Sequence, residues 1–182
     1  MAGKLTDFNP VSRITIGAVG PPGQRVFLFQ ASQNSAASTI TLKLEKEQAR
    51  VLASSTIELL EELDKKYPKP QSRLDLPLSS DLMLTEPMEP QFIVGQIGLG
   101  YDHEEDMVVL VVQEAQFEEV PGDDEPITAR FWATRSQMRA FSNHALEVVQ
   151  QGRPICPLCD SPIDPDGHFC PKTNGYESVK WF

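Results

Sequence analysis

The sequence predicts an α+β fold: two βββα halves forming a pseudo-duplicated sheet with helices on one face, followed by a small cysteine-bearing tail. Three observations carry this reading. Runs of β-branched and aromatic residues recur in groups of three, and each group is followed by a segment with apolar residues at helical spacing. All the cysteines fall in residues 153–182, after the second of those segments. At 182 residues the chain is long enough for one core-forming domain plus an appendage.

The first half spans 11–67. Arg13 to Val19, Arg25 to Ala31 and Ser38 to Leu44 are β-type runs separated by Gly/Pro-rich and Ser/Asn-rich turns, which reads as a meander. From Glu45 to Lys66, Ala49, Leu52, Ile57, Leu59, Leu60 and Leu63 recur between charges at the spacing of an amphipathic helix, which Pro68 and Pro70 stop. The linker 68–90 carries Leu74, Leu76, Leu78, Leu82, Met83 and Leu84, too apolar to hang in water, and is expected to wrap the domain surface. The second half, 91–152, repeats the order: strands Gln91 to Ile97, Met107 to Gln116 and Ile127 to Ala133, then a helix from Arg135 to Gln151. Thr134 and Gln137 have the spacing of a capping box at its start.

The halves can be laid on one another. A shift of 89 superposes Gln48 on Gln137, Arg50 on Arg139 and Glu58 on Glu147, with Ala49, Leu52, Leu59 and Leu60 falling on Met138, Phe141, Val148 and Val149. A shift of 78 superposes Gly17, Val19 and Gly20 on Gly95, Ile97 and Gly98, so the first strands are expected to end alike. The runs Val26 to Phe29 and Val108 to Val112 are continuously apolar, which predicts burial on both faces. The linker, the partner half or a second subunit are the candidates to cover the outer face.

The net charge of −10 is concentrated in the middle of the chain: residues 71–128 carry one basic and fourteen acidic side chains. Glu104, Glu105 and Asp106, and then Glu118, Glu119, Asp123, Asp124 and Glu125, read as two solvated loops. Such acidity opposes nucleic-acid binding, which draws most of its affinity from phosphate neutralisation. No run approaches the roughly 20 apolar residues of a membrane span, and the first residues lack the apolar stretch of a signal peptide, so the expected compartment is the cytoplasm.

A reducing compartment, and three cysteines clustered within fifteen residues, favour metal binding over disulfides. Cys156-Pro157-Leu158-Cys159 is a Cys-x2-Cys turn of the kind that offers two sulfurs to zinc. A second Cys-Pro opening, Cys170-Pro171, has Thr173 where a zinc ribbon would place its fourth cysteine, and His168 fills that vacancy after an Asp166-Gly167 turn. The predicted ligands of a structural Zn2+ are therefore Cys156, Cys159, His168 and Cys170. A carboxylate from Asp160, Asp164 or Asp166 is the alternative to His168, and a redox Cys-x2-Cys pair is the alternative to zinc. The Pro/Gly/Asp-rich tail 153–182 cannot build a core, so metal ligation would supply its folding energy, on the order of 10 kcal/mol. With four protein ligands no position stays open for an activated water, and no catalytic residue is predicted.

Other candidates are weaker. Gly17-x-x-Gly20-x-x-Gly23 and Gly95-x-x-Gly98-x-Gly100 lack phosphate-loop spacing and are each followed by a strand, so they read as hairpin turns. His103 and His144 have no visible nucleophile to serve. Arg25 beside Gln24, and Arg130 with Trp132, are candidate anion contacts or plain strand residues.

Phe8-x-Pro10, Gly20-Pro21-Pro22-Gly23-Gln24-Arg25, and the tail motif with Pro162, Asp164, Gly167-His168, Cys170-Pro171 and Asn174-Gly175 together resemble an uncharacterised bacterial family of about this length, a domain of unknown function. The resemblance is nearly full length. It implies a zinc-ribbon-like tail with the four ligands named above, and no activity. The function expected is that of a non-catalytic zinc-binding adaptor with a protein partner, a role to which the closing residues Val179-Lys180-Trp181-Phe182 could contribute; a homodimer is compatible with it. Two alternatives stand beside it: a single-stranded nucleic-acid binder stacking bases on Phe27, Phe29 and Trp132, and an enzyme with a site between the halves.

Overall fold

A computed structural model describes residues 3–21, 23–70, 76–117, 125–151, 156–161, 163, 167–172 and 178–179, with backbone alone at 35–37 and 178–179. Along the chain run β1 (Leu5–Phe8), β2 (Arg13–Val19), β3 (Val26–Gln33), β4 (Ser35–Leu44), α1 (Lys46–Lys66), β5 (Phe92–Asp102), β6 (Met107–Glu114), β7 (Thr128–Thr134), α2 (Arg135–Gln150), β8 (His168–Phe169) and β9 (Ser178–Val179). Seven strands form one mixed sheet in the order β1-β7-β6-β5-β4-β3-β2, and β8 pairs with β9 apart from it. The expected α+β class holds. Among the described residues no helix is long and apolar enough to cross a membrane.

Strand β1 has no counterpart in the sequence reading, because Leu-Thr-Asp-Phe is too short to show a period. It pairs parallel with β7, where Arg130 grips Asp7 with two hydrogen bonds of 2.8 and 2.7 Å. This strand also sets the shape of the sheet. β1 and β2 are its two edges, yet they are joined by residues 9–12 alone, so the edges must meet. The Val11 amide donates to the Trp132 carbonyl of β7, and the Ser12 amide to the Ser32 carbonyl of β3. On a flat sheet, Phe29 of β3 and Phe131 of β7 would lie four strand spacings apart, about 19 Å. Their ring centroids are 5.0 Å apart. The sheet is curled, and its concave face is the core.

Both helices seal that concave face. α2 sets Met138, Phe141, Ala145, Val148 and Val149 into the core, with Phe141 against Phe29, while α1 contributes Ala49, Leu52, Ala53, Leu60 and Leu63. The glutamine at the third position of each helix behaves alike. Gln48 Oε1 accepts from the Glu45 amide while Nε2 donates to the carbonyls of Val94 and Gly95. Gln137 Oε1 accepts from the Thr134 amide, completing the predicted capping box, and Nε2 donates to the Val11 carbonyl. Each helix start is thereby tied to a chain segment of the other half.

The first strands do not end alike. β2 stops at Val19 and turns through Gly20 (φ 104°) and Gly23 (φ 86°), whereas Gly95, Gly98 and Gly100 lie inside β5, which runs on to Asp102. The hairpin-turn reading holds for Gly20 and Gly23, while Gly17 lies inside β2, and it fails for the second set. Burial on both faces likewise holds for β3, whose six central residues are all buried, but not for β6. There Val108, Leu110 and Val112 are buried while Val109 and Val111 are only half-buried on the outer face. An apolar run predicts two covers; only tertiary structure decides whether both exist.

The cover over the first half is the linker. Register places Thr15, Gln30 and Thr41 in one row across β2, β3 and β4 on the outer face, and all three are fully buried. They bind the backbone of residues 82–87. Thr15 Oγ1 donates to the Leu82 carbonyl, Thr41 Oγ1 to the Pro87 carbonyl, and Gln30 Nε2 to the Thr85 carbonyl at 2.6 Å, while Gln30 Oε1 accepts from the Thr85 amide at 2.9 Å. Arg13 adds a bond to the Met83 carbonyl. Leu84 lies so close to Gly17 that a Cβ there would sit 2.4 Å from its Cγ. An apolar strap alone could slide; the polar row fixes its register.

A second polar joint links the two halves. Arg135, at the first position of α2, sits where its charge opposes the helix dipole. Its Nε donates to Asp106 at 2.8 Å and its Nη1 to the Tyr67 carbonyl at the end of α1 at 2.7 Å, so the cation is balanced by a carboxylate and by the negative end of the other helix. Asp106, expected in a solvated acidic loop, is instead bonded by Tyr101, Lys69 and Arg135. Glu104 and Glu105 are exposed as expected; Glu118, Glu119, Asp123 and Asp124 lie outside the described residues.

Two outcomes follow from these joints. Gln30→Leu leaves the Thr85 amide and its neighbours in the strap unpaired, and we expect a loss of about 2–4 kcal/mol in urea unfolding together with faster proteolysis in 78–90. A loss below about 1 kcal/mol would show that the strap is held by apolar contact alone. Desolvation raises the Asp106 carboxyl, but the bonds from Tyr101, Lys69 and Arg135 outweigh it and hold the group below its ordinary 3.8. Its contribution to stability is complete above that ordinary value and is lost as pH falls through the lower folded-state value. Melting temperature followed from pH 6 to pH 2 should therefore drop more steeply for the parent than for Asp106→Asn.

Candidate metal centre

In the tail the chain makes a tight turn at Cys156-Pro157-Leu158-Cys159. The Asp160 amide donates to the Cys156 carbonyl and the Cys156 amide to the Ser161 carbonyl, each at 2.9 Å, which closes the turn on itself. Asp160 adopts φ 57°, a left-handed conformation that aspartate tolerates better than most residues. That reversal lets both the amide and the hydroxyl of Ser161 reach the Cys159 sulfur. The amides of Leu158 and Cys159 donate to the Cys156 sulfur in the same way.

The second pair of donors comes from β8. Gly167 has φ 98°, open to glycine alone, and it turns the chain into the strand as the Asp-Gly pair predicted. β8 pairs antiparallel with β9, His168 opposite Val179 and Phe169 opposite Ser178. Alternation along an extended chain explains the His-x-Cys spacing: His168 and Cys170 point one way, while Phe169 between them is 67% exposed. A helix would have needed a separation of three or four residues.

The four predicted residues are brought together. The Sγ atoms of Cys156, Cys159 and Cys170 and a ring nitrogen of His168 all lie within 4.8 Å of one another. Cys156 Sγ is 3.9 Å from Cys170 Sγ, and Cys159 Sγ is 3.4 Å from His168 Nε2. No two of the sulfurs are bonded, since a disulfide needs about 2.05 Å, and all three cysteines are free thiols. His168 Nδ1 is buried without a hydrogen-bond partner among the described residues, so Nε2 is the nitrogen presented to the sulfurs. Around the donors Cys156, Ile163 and Cys170 form a small apolar cluster of their own.

The thiols are electrostatically unequal. Hydrogen bonds from the Ser161 hydroxyl and amide lead the effects that bring Cys159 down to about 6, with His168 and Cys156 adding to them against desolvation. Burial pushes Cys156 up in spite of the two amides that donate to its sulfur. One thiolate thus stands ready beside an imidazole, and this donor set could hold a soft or borderline metal ion.

The remaining candidates fall elsewhere. Asp160 is exposed and is not among the converging donors, while Asp164, Asp166 and Thr173 lie outside the described residues. Phe27 and Phe29 are core residues, 7% and 2% exposed, and so have no free face for a base. Trp132 lies beneath Arg130 at 5.3 Å, and that arginine is already paired with Asp7. His103 packs on the Tyr67 ring at 4.5 Å, and His144 is half-buried on α2. Ser161 was missed because a serine two residues beyond a cysteine has no distinguishing pattern until the turn is built. The converging polar group of Arg135, Asp106, Tyr101 and Asp64 was missed because its members come from three distant segments.

The turn at Asp160 provides a test. Asp160→Gly keeps the left-handed backbone and should retain metal binding, whereas Asp160→Val strains it and should weaken binding about tenfold or more in competition with a chromophoric chelator. Equal affinities would remove the role given to the turn.

A family model described as a protein of unknown function (DUF3090) matches residues 6–170, a span that takes in the curled sheet, both helices and all four donors. No curated protein and no solved structure matches the chain.

Proposed function

The chain belongs to the DUF3090 family of proteins of unknown function, and from that premise, which brings no activity with it, we propose that it is a non-catalytic zinc-binding adaptor whose tail engages a protein partner. The observation that carries the metal assignment is the geometry of the donors. Zinc with Zn–S of about 2.3 Å and Zn–N of about 2.0–2.1 Å sets tetrahedral edges near 3.8 Å for two sulfurs and 3.6 Å for sulfur and nitrogen. The separations of 3.9 and 3.4 Å lie close to these edges before any ion is added.

Bound zinc would supply a four-point crosslink between the Cys156–Cys159 turn and β8. Three thiolates and a neutral imidazole around a divalent ion leave one net negative charge, and a closed set of four protein donors leaves no place for a reacting water. The role is therefore structural, in a compartment such as the cytoplasm where the thiols stay reduced. The two βββα halves are read as copies of one unit, a view supported by the matching roles of Gln48 and Gln137.

A protein partner is inferred because the tail has its own small cluster and, among the described residues, places no side chain in the main core. The closing residues 180–182, considered for the same role, lie outside the described residues.

The decisive experiment compares the intact protein with Cys159→Ser and His168→Ala by metal analysis and affinity capture. We expect one equivalent of zinc in the intact protein, less than a tenth of that in either variant, and loss of captured partners with the metal. Protein that carries no zinc ends the metal assignment. Variants that lose zinc yet retain every partner end the adaptor reading and leave the site purely structural.

A further inference from the structure

Five of the six arginines among the described residues are committed. Arg13 binds the strap, Arg50 pairs with Glu47, Arg130 with Asp7, Arg135 with Asp106, and Arg139 with Asp64. Arg25 alone has no hydrogen-bonded or ionic partner among the described residues, although it is half-buried and the chain carries 26 carboxylates. It lines a cleft of about 310 Å³ between the β2–β3 turn and the start of α1, together with Lys43, Lys46 and Glu45. Neither lysine has a described partner either.

The placement follows from the strand register. Phe27 faces Leu44 at the end of the β3–β4 ladder, and the chains part there: Arg25 precedes β3 and Lys46 opens α1, so both come to line the cleft beyond the last strand pair. Gly23, turning at φ 86°, leaves the rim without a side chain, and the floor is the apolar surface of Phe27 and Leu44. The cleft thus gathers three cations against one carboxylate, a balance of two positive charges.

A comparison within the molecule sharpens the point. A second cleft, of about 260 Å³ at the start of α2, is also lined by three cations, Lys69, Arg135 and Arg139. There each one is paired with Asp64 or Asp106, so every cation has an ionic partner and one positive charge is left over. Clefts of similar size and cation number therefore differ in pairing: every cation of one is held by a carboxylate, and none of the other is among the described residues.

We propose that the Arg25 cleft binds a phosphoryl group, carried either by free phosphate or by a small phosphate ester. A phosphate monoester bears about −1.5 to −2 charges at neutral pH and presents three acceptor oxygens, matching the excess charge and the donors available. The planar Arg25 fork takes two oxygens and the Lys46 ammonium takes the third, with Lys43 at the border of the cleft and the first amides of α1 adding positive potential. A monocarboxylate meets only half of that charge. The apolar floor gives an ester a place for its organic part.

Titration of the full-length, zinc-loaded chain, followed by amide 1H–15N shifts, tests this with inorganic phosphate and phenyl phosphate as probes and sodium chloride at matched ionic strength as control. Saturable shifts are expected at Gly23, Arg25 and Lys46, weakened about tenfold by Arg25→Gln and by Lys46→Gln, and only partly by Arg25→Lys. Tighter binding of phenyl phosphate would identify an ester as the ligand, and equal or weaker binding would identify free phosphate. All of these variants lie at the rim, and an unchanged melting temperature will show that they fold. Shifts that chloride reproduces, or that persist undiminished in the folded Arg25→Gln protein, would overturn the proposal.

Discussion

Residues 9–12 are four residues long, yet they join the two edges of a seven-stranded sheet, and most of the architecture follows from that short tether. A sheet whose edges must meet curls until its inner side chains converge, which is why Phe29 and Phe131 touch although three strands lie between theirs. Curling gives one concave face, so one core suffices for both halves and both helices. Val11 and Ser12 bond to β7 and β3 and so fix the two edge strands close to one another.

A curled sheet has a convex outside, and here the halves part company. Over the first half the strap carries its own backbone groups to the Thr15–Gln30–Thr41 row, so every buried polar atom there has a partner and the strap has one register. Over the second half Val109 and Val111 remain half-buried beside Trp132, with Arg130 lying on that ring and held by Asp7. The likeness of the halves therefore extends to element order and helix capping, and stops at the outer surface.

The candidate metal centre was legible because it is local. All four donors lie in residues 156–170, and what holds them is short-range: a Cys-x2-Cys turn, a left-handed Asp160, a glycine at 167, and alternation along β8. A pattern confined to one turn and one strand can be read from spacing. The contribution of Ser161 could not, because it depends on where the chain goes after Asp160 and not on which residue follows the cysteine. The polar joint at Arg135 was hidden for the opposite reason: its partners are 29 and 68 residues away.

The sequence by itself determined the six long strands, both helices, the Thr134–Gln137 cap, the α+β class and the donor residues, since each rests on periodicity or spacing within a few residues. Tertiary structure alone decided that β1 exists, that the sheet curls, that the linker is a cover for one half and not the other, and that β5 runs straight through the glycines expected to end it. It also decided which charges are spent. Arg25 and Arg130 both read as strand arginines in the sequence, but Arg130 meets Asp7 from a strand more than a hundred residues away, and Arg25 has no ionic partner among the described residues. Pairing of charges, like pairing of strands, is settled by contacts between distant segments, and those contacts form only when the whole sheet has closed.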